Sequence, residues 1–403
     1  MNPEIVQARS AIESLRSGVP SRSAVVQLGT TQNDVRESFE ASLEALAEGR
    51  AASPLLLSAT FGAGKTHLLN YLQSLAEQEG FVTSFVIVSP EMPLGNAHLV
   101  VKGLAEVAHA PGQTGKAVRA LSTKLNVRSE AYQELEEWAR NATIDDRFRA
   151  LLRLYAEFGA DEEFRAQILS DFEGRPLLKT ILKRKLKEVN AAAAYDLSGG
   201  RAALTAHDRV RLMAQYFRAC GCKGWVIFFD EMERVAKFSL KQRLVAYEEL
   251  GWWKRIAEQA GCALLPVFTT ASGFVAESVT GGAQDELRIS SSGQSEEERL
   301  AREGIEFLKT PMRLDLPTSE QELQIAYRLK NIYETAYGVS VPTPQERRDV
   351  HTSIRSEIRR WITLWDLQRY YPAYNAQVEV SDVTFDTESI ADSALAEETD
   401  AGE

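Results

Sequence analysis

The chain has 403 residues, of which 44% are apolar, enough for one large or two modest domains around a sizeable core. Its formal net charge of −11 comes mainly from residues 377–403, which hold nine of the 57 acidic residues and no lysine or arginine. The remaining 48 acids face 46 bases, so the body of the chain is close to neutral. We therefore predict an acidic, disordered tail at 376–403. Such a tail usually keeps a protein in solution, and the alternative is that it screens a nucleic-acid site.

The composition argues against two further classes of protein. No apolar stretch reaches the roughly 18 residues that a membrane helix needs, and the first residues lack the pattern of a signal peptide. The three cysteines, Cys220, Cys222 and Cys262, lack the spacing of a metal site or a redox pair, so we interpret them as structural residues in a reducing compartment.

Residues 1–50 are predicted to form two helices around the stretch Ser21–Gly29. The second helix, residues 33–46, is amphipathic because Val35, Phe39 and Leu43 recur at helical spacing. We treat this segment as an N-terminal helical region that precedes the main domain.

The segment from Leu55 to His67 has the form of a phosphate-binding loop. An apolar strand leads into small residues, and Gly-Lys-Thr then opens a helix. Backbone N–H groups of such a loop and the positive end of the helix bind phosphate. We expect Lys65 to reach the β- and γ-phosphates of ATP or GTP, and Thr66 to place its hydroxyl on Mg²⁺. Ala59 stands where the usual pattern has glycine, so the backbone there must keep a negative φ.

The residues of this loop are the predicted nucleotide-binding residues. They are Thr60, Phe61, Gly62, Ala63, Gly64, Lys65, Thr66 and His67.

A second strand is predicted at Phe85–Ser89, beside the phosphate-loop strand. Residues 95–220 then form a long helical stretch, which we interpret as an insertion in the nucleotide domain. Within it, residues 179–187 form a basic helix, either a solvated face or a contact for DNA phosphates. Residues 197–201, Leu-Ser-Gly-Gly-Arg, resemble the signature loop of ABC ATPases, but their spacing from Asp230 is longer than usual there, so we favour a plain loop.

Residues 224–231 form a continuous apolar run that ends in Asp230 and Glu231. A strand buried on both faces of a parallel sheet has this pattern, and ligands bind at the carboxyl ends of such strands. Asp230 is predicted to hold Mg²⁺ through water, and Glu231 to polarise the attacking water. The alternative is a core strand that runs into an acidic turn.

A third strand, Ala263–Thr270, is apolar and ends in two hydroxyls. Thr269 or Thr270 could sense the γ-phosphate, as happens in P-loop ATPases with a strand between the two Walker strands; we select Thr270 as the catalytic candidate. The alternative is a threonine that merely favours the strand.

The C-terminal part is predicted to be helical after a loop or mobile insert at 276–304. Residues 319–337 form an amphipathic helix, and 345–370 form one or two more. We expect an ATPase domain at 51–310 and a helical lid or winged-helix-like domain at 311–375. Arg355 and Arg359 share a helix face, and we expect one of them, preferably Arg359, to reach the γ-phosphate; the alternative is pairing with nearby acids.

These motifs together resemble the P-loop ATP-binding proteins of bacterial BREX phage-defence systems. The resemblance covers roughly residues 5–370. It rests on five segments: Ala8–Arg22, Phe61–Leu69 with its Gly-Lys-Thr-His, Ser89–Leu94, Gly224–Glu233 with its Asp-Glu-x-Glu, and Arg355–Asp366. The P-loop alone is generic, whereas the combination is specific.

The resemblance implies an AAA+-like α/β fold, that is, a P-loop NTPase of the ASCE class with a parallel sheet. It also implies a cytoplasmic protein that acts beside a helicase, a methyltransferase or other DNA-acting proteins. We expect ATP and Mg²⁺ as ligands and hydrolysis of ATP by a switch or motor, with DNA contact and a homo-oligomer left open. Two alternatives stand: a generic AAA+ DNA loader or transposition-type ATPase, and a non-hydrolysing, nucleotide-gated scaffold.

Overall fold

Five parallel strands form one sheet. The computed structural model describes residues 2–18, 21–60, 63–198, 202–289, 295–343 and 354–371. The strands are β1 (Leu55–Ala59), β2 (Val82–Ile87), β3 (Trp225–Asp230), β4 (Leu264–Ala271) and β5 (Met312–Arg313). Their order across the sheet is β2-β3-β4-β1-β5, and each adjacent pair is parallel. The prediction of an α/β fold with a parallel sheet is confirmed.

The central strands are buried on both faces. All residues of β1 and β3 are buried, and in β4 only Ala271 is partly exposed. Strands of this kind must be covered by helices on both sides, which is why their sequences are apolar without alternation.

The predicted position of the second strand was wrong. We expected it beside β1, but β2 pairs with β3 at the edge of the sheet. The reason is that β4 pairs with both β1 and β3 and so separates them. The edge strand β2 also carries buried polar side chains that form hydrogen bonds to neighbouring elements. Trp225 of β3, for example, donates its indole N–H to Ser84 Oγ of β2 at 3.0 Å.

Helices connect these strands within a unit formed by residues 28–317. Before β2 these are α3 (Asn33–Ala47) and α4 (Lys65–Gln78). Between β2 and β3 lie α5 (Ala97–Val107), α6 (Ala117–Leu121), α7 (Glu130–Asn141), α8 (Asp146–Phe158), α9 (Glu162–Phe172), α10 (Lys179–Glu188) and α11 (Ala202–Ala219). After β3 follow α12 (Leu240–Ala257), α13 (Asp285–Arg288) and α14 (Glu296–Leu308).

The second unit consists of residues 1–27 and 318–403. In its described part, α1 (Pro3–Ser17) packs against α15 (Ser319–Tyr337) and α16 (Ile354–Tyr370). Asp366 joins all three helices, because Arg16 lies 2.8 Å from its carboxylate and the Tyr333 hydroxyl donates to it at 2.8 Å. The short helix α2 (Arg22–Leu28) follows α1 along the chain.

Several local expectations differ from the structure. The units divide after residue 27 and before residue 318, rather than at 50 and 311, because α1 packs with helices more than 300 positions away in sequence. The first 50 residues hold three helices rather than two, and α14 begins inside the segment expected to be a loop at 276–304. Serine at position 295 caps α14 by accepting the Glu298 N–H at 3.1 Å. The predicted tail at 376–403 lies outside the described residues.

No helix in the described part of the chain is long and apolar enough to cross a membrane.

Helices α12 and α14 approach each other closely at two glycines. A Cβ on Gly251 would lie 1.9 Å from the Leu300 carbonyl oxygen, and one on Gly304 would lie 2.1 Å from the Tyr247 carbonyl oxygen. Both obstacles are backbone atoms, so the helices could accept a side chain only by moving apart. This close contact packs α12 against the helix that precedes β5.

We expect Gly251→Ala to destabilise the chain by about 1–3 kcal/mol, the usual cost of overpacking, despite the better helix propensity of alanine. Urea unfolding followed by circular dichroism measures the change. Lys241→Ala, at an exposed position in the first turn of the same helix, is the control and should change stability by no more than about 0.5 kcal/mol. Equal stability of both variants would contradict the close packing.

Candidate functional site

The carboxyl ends of β1, β3 and β4 bring the predicted site residues to one edge of the sheet. In β1, Ala59 is opposite Ala271 of β4, and in β3, Phe229 is opposite Phe268 of β4. Because neighbouring parallel strands end together, the loop after β1, Asp230 and the two threonines of β4 share this edge. Side chains from three separate sequence segments therefore meet there.

The phosphate-loop helix α4 begins directly at Lys65. Gly64 precedes it in the left-handed region, with φ of 86°, and a Cβ there would meet nothing within 4 Å. Glycine is needed at this position for its backbone conformation rather than for space. Ala59, the departure from the usual pattern, is the last residue of β1 and is buried. Strand backbone has a negative φ, so alanine fits there.

Two other loop residues are placed as follows. Thr60 is exposed, just after β1, and Ala63 is partly buried, while Phe61 and Gly62 lie outside the described residues. The backbone N–H of Ala63 donates to the Thr60 carbonyl at 3.3 Å.

Thr66 and Asp230 are in direct contact. The Thr66 hydroxyl donates to Asp230 Oδ2 at 3.3 Å. Asp230 is only 2% exposed, and a buried carboxylate is costly unless hydrogen bonds stabilise it. The hydroxyl of Thr269 and the backbone N–H of Glu231, the latter at 2.9 Å, both donate to Asp230 Oδ1. Its two oxygens thus join the first turn of α4 to the ends of β3 and β4.

Thr269 and Thr270 have different surroundings, because adjacent strand residues point to opposite faces. Thr269 bonds Asp230, and its oxygen also accepts the Glu231 N–H at 3.3 Å. Thr270, our selected candidate, lies opposite Ser58 of β1 and is 1% exposed; its hydroxyl has no hydrogen-bond partner among the described residues. The structure brings Thr269 to the aspartate, and Thr270 stays a prediction.

Glu231 has a left-handed backbone, with φ of 60°, immediately after β3. This conformation costs a residue with a side chain about 1–3 kcal/mol and often marks functional sites. The two hydrogen bonds of its N–H hold the backbone in place. Its carboxylate forms an ion pair with Arg234, one turn further along the 3₁₀ segment Met232–Lys237.

Lys65 faces a carboxylate that we had not selected. Its Nζ lies 3.7 Å from Glu233 Oε1 and donates to the Ala59 carbonyl at 3.5 Å. Glu233 is fixed from its other oxygen, Oε2, which accepts the Ala271 N–H at 3.0 Å. The side chain of Glu233 therefore spans from the end of β4 to the lysine of the phosphate loop.

Neither Glu233 nor Arg234 was among the predicted site residues. The signal for Glu233 was present, since it is the second acid of the Asp-Glu-x-Glu segment. Arg234 stands three positions after Glu231, a spacing that brings side chains together in a 3₁₀ turn.

His67 contacts the segment before α3 rather than the edge of the sheet. Its Nε2–H donates to the Gly29 carbonyl at 2.8 Å, which fixes the neutral tautomer with the proton on Nε2. Burial lowers the pKa of His67, and the hydrogen bond to Gly29 only partly opposes this. The imidazole therefore links the segment between α2 and α3 to the phosphate-loop helix α4.

Arg355 and Arg359 lie on α16, in the unit formed by the two ends of the chain. Both side chains are exposed, and the Arg359 carbonyl accepts the Thr363 hydroxyl at 2.8 Å. Their predicted role toward the γ-phosphate remains a prediction.

The chain belongs to the BREX system ATP-binding protein BrxC/D family. The family model matches residues 5–106 and 104–360, which include both halves of the site and all but the last part of the chain. This confirms the resemblance found in the sequence. The chain is thus a member of an ATP-binding family of BREX systems, with a role in phage defence. No curated protein matches the chain.

Removing the charge of Glu233 should strengthen ATP binding. Its carboxylate faces Lys65, where we predict that phosphates bind, and it would therefore repel them and compete for the amine. In Glu233→Gln the side-chain oxygen still accepts the Ala271 N–H, while the negative charge is gone. A partly exposed charge contact is worth about 1 kcal/mol or less, so affinity should rise by about threefold to fivefold. Calorimetric titration with ATP measures it.

Glu277→Gln is the matched control, because Glu277 is an exposed acid on the segment that follows β4. It should bind ATP as the parent chain does. Weaker ATP binding by Glu233→Gln would mean that Glu233 helps to build the nucleotide site and does not oppose the nucleotide.

Proposed function

We propose that the chain is a Mg²⁺-dependent ATPase that acts as an AAA+-like switch or motor in BREX phage defence. The observation that carries the proposal is the contact of Thr66 with the buried Asp230, with Glu231 directly after it. These are the three oxygen-bearing side chains that ATP hydrolysis needs next to a phosphate loop.

The strand order supports the AAA+-like fold. Strand β4 lies between β1, which leads into the phosphate loop, and β3, which ends in the acids. This is the arrangement expected of P-loop ATPases whose two Walker strands are separated by a third strand. The helices between β2 and β3 form the large insertion of the nucleotide domain.

The residues present fit a magnesium ion. A hydroxyl and a buried carboxylate lie 3.3 Å apart, and both are hard oxygen ligands. Mg²⁺ in nucleotide sites uses one or two such groups and completes its shell with water and phosphate oxygens. A cluster of three acids is therefore not required, and the described residues contain none that could hold a metal. When bound, the ion would neutralise charge on the phosphates.

The other side chains of the site would each have a separate role in binding or hydrolysing ATP. Lys65 supplies positive charge to the phosphates, and Asp230 keeps Thr66 oriented. Glu231 is positioned to accept a proton from the attacking water, once its carboxylate is released from Arg234. Thr270 offers a hydroxyl without a partner among the described residues, suited to detecting a γ-phosphate.

One observation favours a second candidate, a nucleotide-gated scaffold that does not hydrolyse ATP. The Glu231 carboxylate forms an ion pair with Arg234. If this ion pair persists when ATP binds, Arg234 competes with the attacking water for the Glu231 carboxylate, and ATP would act by binding alone. Both the ATPase and the scaffold would act with other BREX proteins. We propose DNA-acting partners such as a helicase or a methyltransferase.

Lys65→Ala should abolish measurable ATP binding while the chain stays folded, because the amine is the main side-chain charge for the β- and γ-phosphates. Calorimetric titration with ATP tests this, and the circular dichroism spectrum and melting temperature report the fold. Lys241→Ala, on the exposed first turn of α12, is the charge-matched control. Unchanged ATP affinity in Lys65→Ala would overturn the phosphate-loop assignment.

Glu231→Gln should slow ATP turnover by about 10²-fold or more, the usual contribution of a positioned general base. The amide is nearly the same size as the carboxylate, so ATP and Mg²⁺ should still bind. Steady-state phosphate release, measured with and without DNA, gives the rate. Asp230→Asn is the comparison, because it should instead weaken Mg²⁺-dependent binding. Equal turnover in the parent chain and Glu231→Gln would favour the scaffold.

A further inference from the structure

A cleft rich in arginine lies on the helices between β2 and β3, outside the ATP site. Its volume is 220 Å³. We call it the arginine cleft. Three arginines line it, together with one acid, one tyrosine and two apolar residues: Arg140, Arg149, Arg153, Glu136, Tyr195, Ala139 and Leu152.

Two helices and one connecting segment form its walls. Arg140 lies in the last turn of α7, whereas Arg149 and Arg153 lie four positions apart on α8 and so share a helix face. Tyr195 comes from the segment after α10. Ala139 and Leu152 are buried and form an apolar floor.

Hydrogen bonds hold these walls in place. The Tyr132 hydroxyl of α7 donates to the Leu152 carbonyl of α8 at 2.6 Å. The Asp196 N–H, next to Tyr195, donates to the Asp146 carboxylate at the start of α8 at 2.8 Å. The guanidinium groups are therefore presented by a preformed frame, which reduces the entropy cost of binding.

The arginines keep unused donors. Arg149 is paired with Asp146 at 2.7 Å through one terminal nitrogen, yet its Nε is buried and meets no acceptor in the described parts of the chain. Arg153 pairs with Glu157 at 2.6 Å. Arg140 forms no ion pair with any described residue; its Nε donates only to the Glu136 carbonyl, at 3.4 Å.

A buried N–H without a partner is costly, so the Arg149 Nε–H is a donor that a bound anion would satisfy. Guanidinium groups match the geometry of phosphate oxygens and bind them in pairs of hydrogen bonds. The Tyr195 ring adds a flat surface of the type that stacks on a nucleobase. Burial raises the pKa of Tyr195, although Arg153 and Arg149 oppose the rise, so the phenol is neutral and does not repel an anion.

We propose that the arginine cleft is a second phosphate-binding site, which takes the phosphate and an adjoining part of one nucleotide. At 220 Å³ it is smaller than the roughly 300–1,000 Å³ of ordinary ligand pockets, so a single nucleotide unit is the largest part that it holds. The nucleotide is either free or one unit of a nucleic-acid strand. The proposal does not depend on ATP hydrolysis.

Arg140→Ala is the variant of choice, because it removes a cleft charge without breaking an ion pair among the described residues. It is made in the full chain carrying Lys65→Ala, so that the phosphate loop does not contribute to the signal. The probes are AMP, followed by calorimetry, and a short fluorescein-labelled oligothymidylate, followed by anisotropy. Arg175→Ala is the matched control, since Arg175 is an exposed arginine of the same helical region and pairs with Glu106 instead.

We expect the Lys65→Ala chain to bind at least one probe, and Arg140→Ala to weaken that binding by about tenfold or more while Arg175→Ala has little effect. Loss with AMP identifies a free nucleotide as the ligand, and loss with the oligothymidylate alone identifies a strand. If Arg140→Ala lowers the melting temperature, Arg153→Ala, on the exposed side of the cleft, replaces it. Absence of binding to both probes, or equal binding by Arg140→Ala and Arg175→Ala, would overturn the proposal.

A measurement of ATP affinity distinguishes failure of this proposal from failure of the proposed function. In the chain with Lys65 intact, Arg140→Ala should leave ATP affinity at the phosphate loop unchanged, because a cleft of 220 Å³ is too small for a nucleoside triphosphate. The two sites can then fail independently, because Lys65→Ala tests the phosphate loop and Arg140→Ala tests the arginine cleft.

Discussion

The buried carboxylate of Asp230 is the constraint on which the site depends. At 2% exposure it needs hydrogen bonds, and it takes them from Thr66 of the phosphate-loop helix, Thr269 of β4 and the backbone of Glu231. Removing any one donor would leave a buried carboxylate with one hydrogen bond fewer. The same bonds fix the distance between the two halves of the nucleotide site and hold Glu231 in its left-handed conformation. The energetic need of one acid thus organises residues that lie far apart in sequence.

The order of the strands in the sheet makes these contacts around Asp230 possible. Because β4 lies between β1 and β3, its end lies beside both, and Thr269 and the Ala271 N–H bond Asp230 at the end of β3 and Glu233 just after it. Thr269 donates to the Asp230 carboxylate. The Ala271 N–H holds one oxygen of Glu233, and the other oxygen of Glu233 faces Lys65. A direct pairing of β1 with β3 would leave no strand end from which to position these groups. The central strand is therefore part of the chemistry as well as part of the core.

Much of this was predictable from the sequence, and the failures have physical reasons. The phosphate loop and the acidic strand end are local patterns, so Lys65, Thr66, Asp230 and Glu231 could be selected from spacing alone. Strand neighbours are not local, and β2 was placed wrongly because the contact of its Ser84 with Trp225 of β3 joins residues 141 positions apart. The packing of α1 against α15 and α16 joins opposite ends of the chain, which no window of sequence reveals. The choice between Thr269 and Thr270 depends on which face of β4 each occupies, and that requires the register.

The two charged groups expected to act on ATP are both held by opposite charges within the chain. Lys65 faces Glu233, and Glu231 is paired with Arg234. The two holding residues are adjacent in sequence, on one short 3₁₀ segment directly after β3. A shift of that segment would therefore release the phosphate-binding amine and the general base together. Phosphates entering the loop would repel the Glu233 carboxylate and attract the Arg234 guanidinium, so nucleotide charge competes with each of the two ion pairs. If the chain hydrolyses ATP as we propose, these two neighbouring side chains would couple nucleotide binding to the release of Glu231.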